Sequence, residues 1–289
     1  MKRYLVVGLI LSISAVSFAK DLKIYSCGVT RVAFMKELND AFSKKFNTPI
    51  KTNSSGGDVF VIKNVNNKKI DLGTGCRESI DSSKDEKDVD SIQVAWGALA
   101  FIVNPKNKVD NLTTKQIKDI LIGRITNWKE VGGDDKPIHL IVRESKKSGV
   151  GLTARELLFK NIDEDFYSKA KKVKSSGFIR DEVAKDEDAF AIDNTMSSSR
   201  HNGIKMLKVD GVEPTKKNIL SDKYKMRQAL YIYLPKNPSK LASKFADFAL
   251  SKEGQEVISK TGTANLAEAS GKDDEDNYMI QNLLLDLDK

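Results

Sequence analysis

The sequence predicts an α/β protein, and three observations carry that reading. Residues 21–77 alternate strand-like and helix-like stretches in the order β-α-β-α-β. Each of those strands runs out into a turn rich in Ser, Thr and Gly, where open parallel sheets hold their ligands. Residues 112–159 then repeat the same grammar of capped helix, Gly-Gly turn, apolar strand and second helix. At 289 residues the chain can bury one large core or two modest ones.

Taken in order, Asp21–Tyr25 reads as a first strand ending at Ser26-Cys27-Gly28-Val29-Thr30. A helix follows over Arg31–Phe46, with Val32, Met35, Leu38, Phe42 and Phe46 along one stripe and Thr30 at its N-cap. Pro49–Asn53 is a second strand, running into Ser54-Ser55-Gly56-Gly57-Asp58 and a weaker helix to about Lys69. Ile70–Gly73 is a third strand, running into Thr74-Gly75-Cys76-Arg77. Ser79–Asp90 is a polar surface segment, and Val94–Val103 is a continuous apolar strand that leaves its domain at Asn104-Pro105. Thr113 and Gln116 have capping-box spacing, Ile117, Ile120 and Leu121 share a face, and Gly123 stops the helix.

Gly132-Gly133-Asp134-Asp135 is a turn and Ile138–Val142 a buried strand, with His139 packed inside it. The cationic turn Arg143-Glu144-Ser145-Lys146-Lys147-Ser148-Gly149 opens the next helix, with Leu152, Leu157, Leu158 and Phe159 apolar. Free N–H groups and a partial positive charge at such a helix start suit an anion. Asp163–Ala184 reads as largely helical with a break near Ser175-Ser176-Gly177. Ala189–Ile192, Ile204–Val209 and Ala229–Leu234 are strands, and Lys240–Ser259 is one amphipathic helix.

Residues 1–19 read as a cleavable signal peptide: Lys2 and Arg3, an apolar run Tyr4–Val16, then Ser17-Phe18-Ala19. An uncleaved anchor is the alternative, but the run is short for a span of about 20 residues. Cys27 lacks the small apolar residues that precede a lipid-modified cysteine. The expectation is a soluble, exported, periplasmic protein. Cleavage removes two positive charges, from +8 to +6. The remaining lysines are scattered without interleaved aromatics, so a solvated basic surface is favoured over nucleic-acid binding. With two histidines, His139 and His201, and no His/Cys/carboxylate cluster at ligand spacing, no metal site is expected.

A more particular pattern runs through the chain. Leu112-Thr113, Gln116-Ile117, Ile120-Leu121-Ile122-Gly123, Ile125-Thr126-Asn127-Trp128, Val131-Gly132-Gly133, Pro137-Ile138, Val142-Arg143-Glu144 and Ser148-Gly149 resemble the periplasmic phosphate-binding protein family of ABC importers. Met206–Val212, Leu230–Tyr233 and Phe248–Gln255 agree in order and spacing, as do Ser54-Ser55-Gly56-Gly57 and Asp71-Leu72-Gly73. The resemblance covers nearly all of residues 21–270.

That family implies a two-lobed type 2 periplasmic-binding fold, each lobe a mixed sheet flanked by helices, joined by two crossover strands around the ligand. Carried over, lobe one is about 20–104 plus 229–270 and lobe two about 105–228, with crossovers near Asn104 and Gln228. The implied activity is capture of phosphate or a related tetrahedral oxyanion, delivered by a monomer to a membrane permease, without cofactor or catalysis. Thr30, Ser54, Ser148 and Gly149 match the family's oxyanion donors, and Arg143 matches its cation, suited to a two-pronged bond. For Arg143 the alternative is a surface salt bridge with Glu144; for Thr30 it is a cap alone. Arg77 matches an arginine that is either ligand-facing or structural.

The departures lie in the pocket. Four residues separate Arg143 from Ser148 where the family has three, and Val150 replaces a threonine. Either the loop bulges or Lys146 or Lys147 substitutes for a displaced Arg143. Cys76 stands where some members place a carboxylate that accepts a hydrogen bond from a protonated phosphate and repels an anion without a proton. Glu144 and Asp58 are open alternatives for that role, and its loss weakens discrimination against sulfate-like ions. In the family's sheet the strands preceding Cys27 and Cys76 are neighbours, which with export implies a Cys27–Cys76 disulfide; two separate buried thiols are the alternative. Residues 271–289, an acidic linker and an apolar helix-like end, either pack back or dock a partner. A second functional reading is an exported accessory or adhesion protein that kept the fold and lost oxyanion binding. A phosphoester hydrolase lacks both a metal cluster and a serine with histidine and carboxylate partners.

Overall fold

The computed structural model describes residues 21–53 and 56–270. The expected signal peptide, Ser54 and Ser55, and the C-terminal tail lie outside the described residues. Strand β1 (Leu22–Ser26) leads into one turn of helix, α1 (Gly28–Thr30), a π-helical segment (Arg31–Met35) and α2 (Lys36–Phe46). Then come β2 (Ile50–Thr52), α3 (Asp58–Asn66), β3 (Leu72–Gly75) and the long β4 (Val89–Val103). The middle of the chain forms β5 (Asn111–Leu112), α4 (Thr114–Leu121), β6 (His139–Arg143), α5 (Gly149–Phe159), β7 (Lys171–Val173), α6 (Ser176–Lys185) and β8 (Ala189–Asn194). It closes with α7 (Thr195–Ser198), β9 (Lys205–Met206), β10 (Lys208–Val209), α8 (Lys216–Leu220), β11 (Arg227–Pro235), α9 (Lys240–Leu250), α10 (Lys252–Lys260), β12 (Ala264–Asn265) and α11 (Leu266–Ser270).

The main sheet runs β2-β1-β3-β11-β4-β8-β6-β7, with β9 and β12 also on β4. Its character changes along β4. Residues Val89–Ala98 pair antiparallel with β11, and Leu99–Val103 pair antiparallel with β8. One strand thus belongs to two halves: β1, β2 and β3 are parallel on one side, and β6, β7 and β8 are parallel on the other. Only a strand buried on both faces can make such a passage, which is why Val94–Val103 reads as a nearly unbroken apolar run. The buried Gln228 on β11 holds the halves together. Its Nε2 donates to Cys76 O and to Thr153 Oγ1, both at 3.0 Å, and its Oε1 accepts from Asn194 Nδ2 at 2.7 Å.

Several sequence expectations are corrected. The N-cap of the first helix is Cys27, not Thr30, and the π-helical segment rotates the stripe so that Ala33 and Phe34 are buried rather than Val32. His139 is exposed at the first position of β6, although Leu140, Ile141 and Val142 after it are all buried, and its Nδ1 lies 2.8 Å from Asp186 Oδ2. The helix expected from Asp163 is only α6, since Lys171–Val173 is taken as an edge strand by β6. The single C-terminal helix is two, broken at Ser251, which is extended (ψ 160°) and whose hydroxyl caps Gly254 N at 3.2 Å. The α4 capping box is present: Thr113 Oγ1 accepts from Gln116 N at 3.1 Å and Gln116 Oε1 from Thr113 N at 2.8 Å.

Candidate functional site

The two halves meet where α3 and α5 start. Strand β6 delivers Arg143 at its end; the turn Glu144–Lys147 then reverses the chain so that Ser148 caps α5 and Gly149 begins it. On the other side, β3 ends at Gly75 and Cys76, while Gly57 caps α3 and places Asp58 in its first turn. That carboxylate is 3% exposed and is the centre of the arrangement. Its Oδ1 accepts from Cys76 N at 2.6 Å, and its Oδ2 accepts from Gly149 N at 3.2 Å. Asp58 therefore bridges both halves of the molecule. The buried Tyr233 hydroxyl lies 2.6 Å from Arg77 O and 3.2 Å from Asp58 Oδ1, and burial, then the Asp58 charge, pushes its pKa well up.

Gly149 permits this approach and no larger residue would. A Cβ there would lie 2.3 Å from Cys76 Sγ and 2.7 Å from Asp58 Oδ2, well inside contact distance. A Cβ on Gly57 would lie 3.2 Å from Arg143 Nη2, so the arginine rests against the cap of α3. Arg143 Nη2 donates to Lys174 O at 2.6 Å and Nη1 to Ser176 Oγ at 3.3 Å, but its buried Nε has no hydrogen-bond partner among the described residues. Ser148 Oγ is buried in the same unpartnered state. Buried donors left without acceptors cost free energy, and an anion is what would relieve them.

The other expected site residues fall differently. Thr30 is buried, but its Oγ1 pairs with Thr74 Oγ1 at 2.7 Å instead of lying open. Of the two readings left open for Arg77, ligand-facing or structural, its contacts fit the structural one. Its side chain and that of Glu86 are 1% and 2% exposed, with two-pronged bonds of 2.7 Å, and Nε and Nη1 also donate to Lys147 O and Glu78 O. Lys146 pairs with Asp165 at 2.5 Å and Lys147 is exposed, so neither takes the place of Arg143. Arg143 makes no salt bridge with the exposed Glu144. Ser54 lies outside the described residues.

Cys27 and Cys76 are free thiols, so the implied disulfide is not formed here. The strands before them are parallel neighbours, as expected. Their sulfurs, however, are engaged elsewhere: Cys27 Sγ with Thr30 Oγ1 at 3.6 Å, Cys76 Sγ with Asp58 Oδ2 at 3.7 Å. A hydrogen bond from Cys27, then burial, then the Asp58 charge push the Cys76 pKa well up. The Cys76 thiol is thereby held protonated.

Sequence reasoning named Asp58 only as an alternative and missed Gln228, Tyr233 and Glu86 as partners. A carboxylate directly after a Gly-Gly helix cap was the available signal for Asp58. A cavity of about 600 Å³ lies beside the site, lined by Trp96, Glu156 and Arg227 among others. Cys76, Arg77 and the Gln228 bridge from Cys76 O to Thr153 Oγ1 stand at its wall, whereas Arg143, Ser148 and Gly149 do not line it.

A two-halved α/β scaffold with convergent loop donors at the meeting of the halves defines a solute-binding protein. Comparison with known proteins agrees. The family model of the PBP superfamily domain matches residues 32–253. The chain is 28% identical over 275 residues to the phosphate-binding protein PstS of Borreliella burgdorferi, covering 91% of this chain and 98% of that one. It is 28% identical over 172 residues to the Bacillus subtilis protein of the same name, covering 57% and 54%. Among solved structures, a Clostridium perfringens protein described as a phosphate ABC transporter substrate-binding protein, with phosphate bound, superposes with a TM-score of 0.75 at 30% identity. That match covers 86% of this chain and 100% of that one. This chain belongs to the PBP superfamily, in the family of phosphate-binding proteins of ABC importers. That family comprises substrate-binding proteins and is not an enzyme class. No helix among the described residues is long and apolar enough to cross a membrane.

Proposed function

We propose that this protein is an exported solute receptor that captures phosphate between its two halves and delivers it to the membrane permease of an ABC importer, without performing chemistry on it. The observation that carries the proposal is the set of anion donors at the start of α5. Gly149 N–H already holds a carboxylate, and Ser148 Oγ and Arg143 Nε wait beside it without acceptors among the described residues. The start of α3 at Gly57, against which Arg143 rests, faces them from the other half. Opening the halves about the β4 passage near Ala98–Leu99 and about Gln228 would let ligand in. The relatives named for phosphate binding support the choice of ion.

Asp58 then supplies the carboxylate that Cys76 cannot. It comes from the start of α3 instead of the end of β3, and it reaches within 3.7 Å of Cys76 Sγ. A phosphate that carries a proton can donate it to Asp58; sulfate has none to offer and is repelled. The same carboxylate favours the second reading, an accessory protein without a ligand, because it already occupies Gly149 N–H. Calorimetric titration separates the two. Phosphate is expected to bind and sulfate not, and Asp58→Asn is expected to lose phosphate while gaining sulfate. No heat with phosphate, sulfate or molybdate would leave only the second reading.

A further inference from the structure

The oxyanion donors do not account for the thiols beneath them. Cys27 follows β1, Cys76 follows β3 and Asp58 opens α3, so they are far apart in sequence and on three separate elements. Their Sγ and carboxylate oxygen atoms nevertheless all lie within 4.8 Å of one another, and the residues are 1%, 2% and 3% exposed. The carboxylate is already held by Cys76 N, Gly149 N and the Tyr233 hydroxyl, so it does not need two thiols beside it for hydrogen bonding. From these distances we infer that Cys27, Cys76 and Asp58 form a binding site for one thiophilic divalent cation of the zinc class.

The dimensions fit. Bonds of about 2.3 Å to sulfur and about 2.1 Å to oxygen at tetrahedral angles place donor atoms about 3.8 Å (S···S) and about 3.6 Å (S···O) apart. Cys76 Sγ and Asp58 Oδ2 are 3.7 Å apart before any ion arrives. Charge fits as well. Two thiols and one carboxylate carry a formal charge of −1 near neutral pH. Binding M²⁺ to two thiolates and the carboxylate releases two protons to solvent and leaves the charge at −1. The ion is thus accommodated without adding net charge to a buried site, and Arg143, whose charge reaches Cys76, opposes the same −1 in both states. Two sulfurs select a soft ion over magnesium or calcium, which take oxygen cages. Three protein donors leave a fourth position for water or an oxyanion oxygen.

Entry requires the start of α5 to lift away, because Gly149 N–H covers Asp58 from the other half. The other trio of such side chains, His139, Asp186 and Asp188, is not comparable: it is not buried, and Asp188 lies 3.7 Å from Lys136 Nζ. The inference is independent of which anion, if any, the protein transports.

The test uses the full chain after leader removal, reduced and stripped with chelator, and titrated with cadmium as a spectroscopic stand-in for zinc. One equivalent is expected to raise a thiolate-to-cadmium ultraviolet band. Cys27→Ser with Cys76→Ser is expected to abolish the band with an unchanged far-ultraviolet circular dichroism spectrum. Asp58→Asn keeps both sulfurs and is expected to retain the band while weakening affinity at least about tenfold. A wild-type titration without the band, or cadmium affinity unchanged in the double serine variant, overturns the inference. Phosphate titration of the same metal-free sample reads the transport proposal separately, so either can fail alone.

Discussion

The family pattern pointed to two arginines, and the molecule uses them in opposite ways. Arg77 is buried with Glu86 in a two-pronged pair, and four of its N–H bonds are spoken for by Glu86, Lys147 and Glu78. Arg143 is half-buried at the seam of the two halves, held by Lys174 and Ser176, with one buried N–H unmatched among the described residues. In the first arrangement four of the five N–H groups are taken by groups of the scaffold itself. The second is under-satisfied and can still accept a guest. This contrast in hydrogen-bond satisfaction is what makes Arg143, and not Arg77, the arginine of the proposed anion site.

The largest effect is expected at Arg77. Arg77→Met leaves Glu86 as a buried charge without its partner and is expected to cost about 3–5 kcal/mol in urea unfolding. A loss below about 1 kcal/mol, the range of exposed pairs, would break the contrast. Arg143→Met is expected to reverse the pattern. Stability should change by no more than about 0.5 kcal/mol, while phosphate affinity falls by about 1.5–3 kcal/mol, the worth of a hydrogen bond to a charged group. Arg143→Lys should not restore it, since an ammonium lacks the planar fork.

Two caps sharpen the same comparison at smaller scale. Thr113 is a partnered cap, and Thr113→Ala is expected to cost about 1 kcal/mol of stability. Ser148 also caps a helix, but its hydroxyl makes no cap bond. Ser148→Ala should change stability by less than about 0.5 kcal/mol and be felt in phosphate titration instead. Equal stability losses for the two would mean that Ser148 is a cap like any other.

Much of this was legible before any coordinates. The α/β alternation, the α4 capping box, the apolar β4 and the start of α5 at Ser148-Gly149 are local patterns, written in periodicity and in turn residues. Mistakes arose where a neighbour outvoted the local signal. Lys171–Val173 became a strand because β6 offered an edge, and His139 is exposed because it stands at the first position of β6, beside Asp186. Arg143, Ser148 and Gly149 could be named from their order in the chain. Asp58 could not be ranked above Glu144, since both are carboxylates beside Gly- or Ser-containing turns.

The sequence by itself determined which elements form and where their turns fall, because those choices depend on residues within a few positions of one another. Tertiary structure alone decided what the turns hold between them. Cys27, Asp58 and Cys76 became a cluster, and Gly149 reached Asp58 from the other half, only when β1 and β3 paired in register and β4 carried the chain across. A one-dimensional pattern specifies which face of an element is buried, but distances of a few ångströms between remote side chains are set by how those faces pack.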